Sequence, residues 1–302
     1  MGLLHPSDEK KGKLVLSAPG SQITINLLDS LQRPVHATFS DVDGDGEEDV
    51  MVSEFGNTTG SLSWFKNLGS GKYKKNVLRA MPGAVQTALH DFNKDGKPDI
   101  IALMAQGDEG FFVYYNKGQG RYEEKRALRF PPSFGSNSFQ LIDFNRDGYM
   151  DIIATNGDNG DYPPILKPYH GIRLYLNDKV NGFKEKIFLP VNGAGKAIAL
   201  DYDADGDIDI ASIAYFPDFT NRPAEAFIYW ENKGSDKYSA SSIAEVSTGR
   251  GLTMDAGDVD GDGDPDIVLG NANFSLGRVP AALKEKWDKY SPSLIVLRNK
   301  TK

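Results

Sequence analysis

A nine-residue acidic segment occurs five times in this chain and constrains its fold more than any other feature. Each copy has Asp at positions 1, 5 and 9, Asp or Asn at position 3, and Gly at position 6. The copies begin at Asp41, Asp91, Asp143, Asp201 and Asp258, with successive spacings of 50, 52, 58 and 57 residues. A repeat of this length indicates an array of small, similar units rather than one or two unrelated domains.

Each acidic segment lies within a pattern typical of short β-strands. A β-branched run follows every copy, as at 50–52 and 100–102, and predicts a buried strand B after a strand A that precedes the segment. A second repeated segment, rich in aromatic and aliphatic residues, ends in Asn, as at 62–67, and predicts strand C. In the first four units a Gly turn and an aromatic residue then begin a strand D. Four antiparallel strands per unit, repeated five times, predict an all-β fold, a five-bladed β-propeller.

The two ends of the chain bear on how the ring closes. The fifth unit stops just after Asn299, and segment 23–28 aligns with the strand D that precedes the second acidic segment. We therefore predict that an N-terminal strand completes the fifth blade and closes the ring. We expect a single propeller domain at 13–302, with blades starting near residues 36, 86, 138, 196 and 253. Residues 1–12 are expected to be a tail or tag, and 14–16 a further strand of unassigned position.

Composition and motifs exclude several classes of function. The absence of Cys excludes a disulfide framework, a thiol nucleophile and a thiolate zinc site. The four His have no metal-ligand spacing, and the GxSxG, P-loop and GxGxxG motifs are missing. No apolar run approaches 18 residues, which predicts that no segment spans a membrane. Segment 1–13 is polar and lacks the apolar region of a signal peptide.

The acidic segments have the donor pattern of a calcium loop. Calcium takes six to eight oxygen ligands, and alternating acidic positions on a tight loop converge on one point. Positions 1, 3, 5 and 9 would bind through side chains and position 7 through its carbonyl, while Gly at position 6 permits the sharp turn. Position 12 lies in a strand, so the site is not a helical EF-hand. A simple β-turn would also favour Asp, Asn and Gly. Five copies with the same positions conserved favour a metal-binding loop over a simple turn.

Up to five calcium ions are predicted, one for each segment. The predicted ligands are Asp41, Asp43, Asp45, Glu47 and Asp49; Asp91, Asn93, Asp95, Lys97 and Asp99; Asp143, Asn145, Asp147, Tyr149 and Asp151; Asp201, Asp203, Asp205, Asp207 and Asp209; and Asp258, Asp260, Asp262, Asp264 and Asp266. These loops hold 22 of the 42 acidic residues, so five divalent ions would change the formal charge from −8 to +2. The acidity of the chain is thus a property of the empty loops. We expect no nucleic-acid partner.

The loop pattern D-x-[DN]-x-D-G-x-x-D, with the aromatic-x-Asn ends of strand C and their Gly turns, resembles FG-GAP/VCBS-type repeats. Such repeats occur in integrin α-subunit heads, some fungal lectins and many exported bacterial proteins. The resemblance covers about residues 22–299 and implies a calcium-stabilised propeller, usually secreted or on a cell surface, without implying one activity. It implies an extracellular, periplasmic or cell-surface location, with the export signal absent from this chain. Two features depart from integrin heads: the Phe-Gly and Gly-Ala-Pro pair is matched only by Phe55-Gly56, and five blades are fewer than their usual seven.

The insertions between strands B and C differ from one another, at 156–169, 216–224 and 271–292. We expect them on a top face, opposite the acidic loops, and expect function there. The last insertion predicts a short amphipathic helix with Leu283, Trp287 and Tyr290 on one face. Aromatic residues beside carboxylates suit sugar binding. The candidate ligand-binding residues are Glu54, Asp158, Asp161, Tyr169, His170, Asp218 and Arg250.

Three kinds of function are compatible with this pattern. The first is a binding module that recognises a glycan or a protein. The second is a polysaccharide-active enzyme, a lyase or a glycosidase, because the separation of its carboxylates is a three-dimensional property. The third is a scaffold domain of a larger exported protein. We favour a calcium-stabilised extracellular binding module that is not an enzyme, and we expect a monomer.

Overall fold

The computed structural model describes residues 7–20, 23–160, 165–273 and 279–301. Its regular structure is almost entirely antiparallel sheet, and five sheets repeat with their strands in chain order. Four of these sheets have four strands, and in the described residues the last has three. The acidic segments connect the first strand of each sheet to the second. The prediction of an all-β, five-bladed β-propeller is therefore confirmed.

Inter-residue contacts divide the chain into two compact units, the first of which is Met1–Pro132 with Val180–Gly182. This unit begins with a hairpin of β1 (Gly12–Ser17) and β2 (Thr24–Leu31). Blade 1 contains β3 (Pro34–Ser40), β4 (Asp49–Glu54), β5 (Ser61–Asn67) and β6 (Tyr73–Arg79). Blade 2 contains β7 (Ala84–His90), β8 (Asp99–Met104), β9 (Gly110–Asn116) and β10 (Tyr122–Arg129).

The second unit is Ser133–Lys179 with Phe183–Lys302, and it contains the other three blades. Blade 3 contains β11 (Ser136–Ile142), β12 (Asp151–Asn156), β13 (Gly171–Asn177) and β14 (Phe183–Pro190). Blade 4 contains β15 (Ala194–Leu200), β16 (Asp209–Ala214), β17 (Phe227–Asn232) and β18 (Tyr238–Ser241). Blade 5 contains β19 (Arg250–Gly257), β20 (Asp266–Ala272) and β21 (Leu294–Leu297). Short 3₁₀ helices cover Pro223–Ala226 and Ala244–Thr248.

Burial explains why each part of the repeat takes its place in a blade. The second strand of each of blades 1 to 4 is buried along its whole length, consistent with the apolar residues that follow its first Asp. The fourth strands carry many charged residues and are largely exposed. The third strands supply Trp64 and Tyr114 to the core of the first unit and Trp230 to the core of the second. These three aromatics were predicted to be core residues, and that prediction is confirmed.

The N-terminal strand does not complete the fifth blade as predicted. Strand β2 pairs with β1, and its Leu28 and Leu31 pack against residues of blade 1. In the described residues, β21 pairs with β20 alone. The assignment of segment 23–28 to the fifth blade is therefore wrong. Pairing with the adjacent β1 closes a short loop, whereas pairing with β21 would close a loop of about 270 residues at a larger entropic cost.

The predicted helix in the last insertion is present as α1 (Ala281–Lys289). Trp287 is its buried residue, Leu283 is half-buried, and Tyr290 is 66% exposed. The common face predicted for these three residues is wrong at Tyr290, because the helix ends before it and its backbone is extended. None of the described helices is long and apolar enough to cross a membrane.

Candidate metal centre

The acidic loops are each built around the carboxylate at position 1. One oxygen of this carboxylate accepts a hydrogen bond from the N–H of the Gly at position 6, over 2.7–3.1 Å in all five loops. These glycines have φ between 83° and 96°, a left-handed conformation that side chains with a Cβ rarely adopt. The position-5 carboxylate accepts the N–H of position 7 in every loop. The loop geometry is therefore the same in all five blades.

The Asp at position 9 ties its loop to the end of the third strand. Its Oδ2 accepts the N–H of the residue at position 2, over 3.0–3.3 Å. Its Oδ1 accepts the N–H of the Asn that ends the third strand, over 2.7–2.8 Å. The five Asp–Asn pairs are Asp49–Asn67, Asp99–Asn116, Asp151–Asn177, Asp209–Asn232 and Asp266–Asn299. In each blade the acidic loop thus lies at the same end as the turn that follows the third strand.

These five Asp residues are wholly buried. Burial raises the pKa of Asp49, Asp99 and Asp151 although each carboxylate accepts backbone N–H groups. In blade 5 the N–H groups of Asn299 and Val259 lower the pKa of Asp266. The sequence predicts position 9 as a calcium ligand but does not reveal its role in joining the loop to the third strand. The recurrence of Asn after each loop was the signal for that role.

Three loops also bring the carboxylates of positions 1, 3 and 5 together. In loops 1, 4 and 5 an oxygen from each of the three residues lies within 4.8 Å of the others. These sets are Asp41, Asp43 and Asp45; Asp201, Asp203 and Asp205; and Asp258, Asp260 and Asp262. In loops 2 and 3 position 3 is Asn, and the side-chain amides of Asn93 and Asn145 each donate to the position-5 carboxylate at 3.3 Å.

The donor set of these loops fits a hard divalent cation. All side-chain donors are oxygens, which is the ligand type that calcium prefers. Oδ1 of Asp43, Asp201 and Asp207 is buried and has no hydrogen-bond partner in the described residues, although buried polar atoms are normally paired. In loop 4, burial and the neighbouring carboxylates raise the pKa of Asp203 and Asp207. A cation would supply the missing partner and remove this repulsion.

Basic side chains lie beside all five loops, and in the described residues they form ion pairs with four of them. In loop 4 the guanidinium of Arg146 donates to the carbonyl of Gly206. Lys66 Nζ contacts the carboxylate of Asp43 and lies 2.8 Å from Asp45 Oδ2. The other contacts are Lys97 with Asp95 at 3.5 Å, Lys179 with Asp147 at 3.4 Å, and Arg298 with Asp260 at 3.3 Å. In the part of the chain that the structure describes, we find no ion pair to loop 4. Sequence reasoning did not single out Lys66, although a basic residue directly before the strand-C Asn was visible.

The predicted ligand-binding residues of blade 3 lie in one insertion. Asp158 is exposed, and its Oδ1 accepts the N–H of Gly160 at 2.8 Å. Tyr169 stacks on Phe134 with ring centres 5.7 Å apart. His170 is 2% exposed and contacts the Tyr169 ring edge-on. Burial, followed by the charges of Lys167 and Arg173, lowers the pKa of His170 to about 4. The predicted Asp161 lies outside the described residues.

The remaining candidates are engaged in contacts within their own units. Glu54 is wholly buried and accepts hydrogen bonds from Gln32 N and Ser61 Oγ, and its carboxylate pairs with Lys75. Asp218 is half-buried and accepts the N–H groups of Thr220 and Asn221.

Arg250 is also wholly buried, so it does not present its charge to solvent. Its guanidinium lies over the rings of four aromatic residues and donates to the carbonyl of Tyr215. The rings are those of Tyr215, Phe216, Phe219 and Trp287. Full burial of Glu54, His170 and Arg250 fits a packing role for their side chains.

A cavity of about 840 Å³ lies between blades 4 and 5 of the second unit. Its walls include Tyr229, Ile295 and Leu297, and it reaches Asp203 of loop 4 and Glu231. None of the residues predicted to bind a ligand lines it. The cavity therefore adjoins an acidic loop rather than the insertions.

Known proteins share this repeat. Integrin alpha-PS5 of Drosophila melanogaster is 35% identical over 96 residues, covering 28% of this chain and 10% of the relative. Integrin alpha-4 of Xenopus laevis is 28% identical over 142 residues, covering 42% of this chain and 14% of the relative. A T-cell immunomodulatory protein homolog of Plasmodium falciparum (isolate 3D7) is 25% identical over 149 residues, covering 42% of this chain and 19% of the relative. The chain thus spans between a tenth and a fifth of the length of these curated relatives.

The family model of the FG-GAP-like repeat matches residues 41–102, 91–154 and 201–269. Each matched segment begins at position 1 of an acidic loop, and together the matches cover more than half of the chain. With the five repeated blades and the integrin relatives, this match shows that the chain belongs to the FG-GAP-like repeat family.

Proposed function

We propose that this chain is a calcium-stabilised binding module of an extracellular or cell-surface protein. The observation that carries the proposal is the fivefold acidic loop, in which buried carboxylate oxygens of loops 1 and 4 lack a partner among the described residues. Its membership of a repeat family that includes integrin α subunits indicates a binding or adhesion module. Calcium, the location and the ligand are our proposals.

Calcium would be held by the side chains at positions 1, 3, 5 and 9 of each loop and by the carbonyl of position 7. When bound, the ion would supply positive charge at the centre of the loop and no reaction chemistry. The chain itself contributes the rigid loop, because positions 1 and 9 are already fixed by backbone N–H groups. An ion that binds only the folded loop stabilises the fold by mass action.

The ligand is proposed to bind at the opposite end of the blades. The Asp–Asn pairs place the acidic loops and the turns after the third strands at one end of each blade. In an antiparallel sheet the connections from the second to the third strand then lie at the other end. These connections differ in length and sequence, and such loops on a repeated scaffold commonly carry binding residues.

Among these connections, the insertion of blade 3 exposes both a carboxylate and apolar side chains in its described residues. Asp158 is exposed, and Ile165 and Leu166 are 58% and 51% exposed. Tyr169 presents a half-buried ring in the same insertion. Neighbouring apolar side chains beside a carboxylate favour a protein ligand, and a glycan that stacks on Tyr169 is the alternative.

A binding screen with matched variants tests this proposal. The chain is applied to a glycan array and to a panel of extracellular-matrix and cell-surface proteins, in calcium and in EDTA. We expect calcium-dependent binding that an Asp158→Ala/Tyr169→Ala variant weakens at least tenfold without a change in melting temperature. Asp288→Ala, an exposed carboxylate on α1, is the control and should bind normally. Undiminished binding by the blade 3 variant would place the binding site elsewhere.

A further inference from the structure

The residue directly before the strand-C Asn differs among the blades. It is Lys66, Tyr115, Leu176, Glu231 and Arg298 in blades 1 to 5. In blade 1 the ammonium group of Lys66 contacts Asp43, and in blade 5 the guanidinium of Arg298 lies 3.3 Å from Asp260. Asp43 and Asp260 both occupy position 3 of their loops. The same backbone site therefore directs its side chain toward position 3 in both blades.

Lys66 is the closer and better shielded of these two cations. It also lies 2.8 Å from Asp45 Oδ2, so it bridges positions 3 and 5. Its side chain is 28% exposed, against 63% for Arg298. A less exposed pair is screened less by water and salt, so its attraction is stronger. Lys66 therefore neutralises part of loop 1 without any bound ion.

Blade 4 has the opposite charge at this site. Glu231 and Asp203, at position 3 of loop 4, line the same cavity. Loop 4 has Asp at positions 1, 3, 5, 7 and 9. Two cations lie near it: Lys233 pairs with Glu231, and Arg146 donates to the carbonyl of Gly206. Asp201 Oδ1 and Asp207 Oδ1 lack a hydrogen-bond partner in the described residues. In the described residues, the carboxylates of loop 4 therefore have no ion-pair partner.

We propose that the residue before the strand-C Asn sets the calcium dependence of blades 1 and 4. Lys66 is a built-in counter-ion that competes with calcium for the oxygens of Asp43 and Asp45, whereas Glu231 leaves loop 4 dependent on the ion. This inference rests on the proposed binding of calcium by the loops. It follows because the ammonium group and a calcium ion are attracted to the same two carboxylates and repel each other, so the charge of Lys66 weakens the binding of the ion.

The first test removes the charge of Lys66. Calcium binding is measured by calorimetry, and bound ions are counted by native mass spectrometry, for wild type, Lys66→Met and Lys74→Met. Lys74 is an exposed residue of the same blade and is the control. We expect Lys66→Met to raise the affinity of one site about tenfold and to lower the melting temperature in EDTA more than Lys74→Met does. In an Asp43→Asn background the affinity gain should disappear, which assigns it to loop 1.

The reciprocal test gives blade 4 the residue of blade 1. Glu231→Lys is expected to lower the calcium affinity of one site about tenfold and to raise the melting temperature measured in EDTA. Calcium uptake by wild type with no change in either variant would overturn this inference and leave the proposed function intact. An absence of calcium uptake in wild type and in all variants would overturn both.

Discussion

Asn116 donates its backbone N–H to Oδ1 of Asp99 at 2.8 Å, and the same Asp accepts the N–H of Phe92 at 3.0 Å through Oδ2. The Asn116 side chain in turn donates to the carbonyl of Pro98 at 3.2 Å. The acidic loop and the end of the third strand are thus held together before any ion is considered. Because all five blades repeat this contact, position 9 is both a candidate calcium ligand and a structural residue.

The structural role of position 9 can be measured apart from calcium. Asp99→Ala leaves two buried N–H groups without an acceptor, and we expect it to lower the free energy of unfolding by about 2–5 kcal/mol in EDTA. Urea denaturation measures this loss. Asp288→Ala, on the exposed surface of α1, should change the stability by less than about 0.5 kcal/mol. Equal stability of the two variants would show that the pairing with Asn116 contributes nothing.

Trp287 is the buried anchor of α1. Its Nε1 donates to the carbonyl of Ser247 at 2.9 Å, and its ring meets Phe219 edge-on with centres 5.4 Å apart. We expect Trp287→Ala to lower the free energy of unfolding by about 3–5 kcal/mol. Tyr290→Ala is the matched control and should cost less than about 0.5 kcal/mol, since Tyr290 is exposed. An equal loss of stability in the two variants, measured by thermal or urea unfolding, would contradict the assignment of Trp287 as the anchor.

His170 predicts a loss of stability in mild acid. Its pKa is about 4 in the folded chain, against about 6.5 for an unperturbed His. The unfolded chain therefore binds a proton at a higher pH than the folded chain does. The stability from the neutral His170 is present above pH 6.5 and falls as the pH drops from 6.5 through 4. Between pH 7 and 5 we expect this residue to account for about 2 kcal/mol.

A His170→Phe variant isolates this effect from the titration of the carboxylates. Phe has no proton to bind, and His170 Nε2 has no hydrogen-bond partner to lose in the described residues. The variant should lose less stability than wild type between pH 7 and 5. If the free energy of unfolding changes with pH in the same way in both proteins, His170 has the same pKa in the folded and the unfolded chain.

Asp8 connects the N-terminal segment to the first blade. Its carboxylate accepts the backbone N–H groups of Asn57, Thr58 and Thr59 at 2.8–3.1 Å. The hydrogen bond from the Thr58 hydroxyl, followed by that from the N–H of Thr59, lowers the pKa of Asp8 to about 2. We expect Asp8→Ala to speed hydrogen exchange at amides 57–59, with exchange elsewhere in blade 1 unchanged. Unchanged exchange at these amides would show that the contacts of Asp8 do not protect this loop.

Much of the fold could be predicted from the repeat because its signals are local. Gly at position 6, the β-branched run after each loop and the Asn that ends the third strand each act within a few residues. Trp64 and Tyr114 could likewise be assigned to the core from their place in the repeat. Because these signals recur in all five units, they indicate a structural repeat rather than a coincidence.

The failures concern long-range pairing and burial. The pattern of segment 23–28 suits a strand in any sheet. Its pairing with β1 is favoured by the short loop between them and by the packing of Leu28 on blade 1. Glu54, His170 and Arg250 looked like binding residues by type. Their burial depends on neighbours distant in sequence, such as Trp287 beside Arg250. The contact of Lys66 with Asp43 likewise joins residues from different strands.

Calcium binding by the acidic loops is the central claim, and one titration tests it most directly. Calorimetry on the chelator-treated chain is combined with melting temperatures in calcium, in magnesium and in EDTA. We expect uptake of up to five calcium ions and a melting temperature that is highest in calcium and lowest in EDTA. Loops 2 and 3, which have Asn at position 3, should release their ions before loop 4 does. No calcium uptake, together with a melting temperature indifferent to EDTA, would contradict the claim.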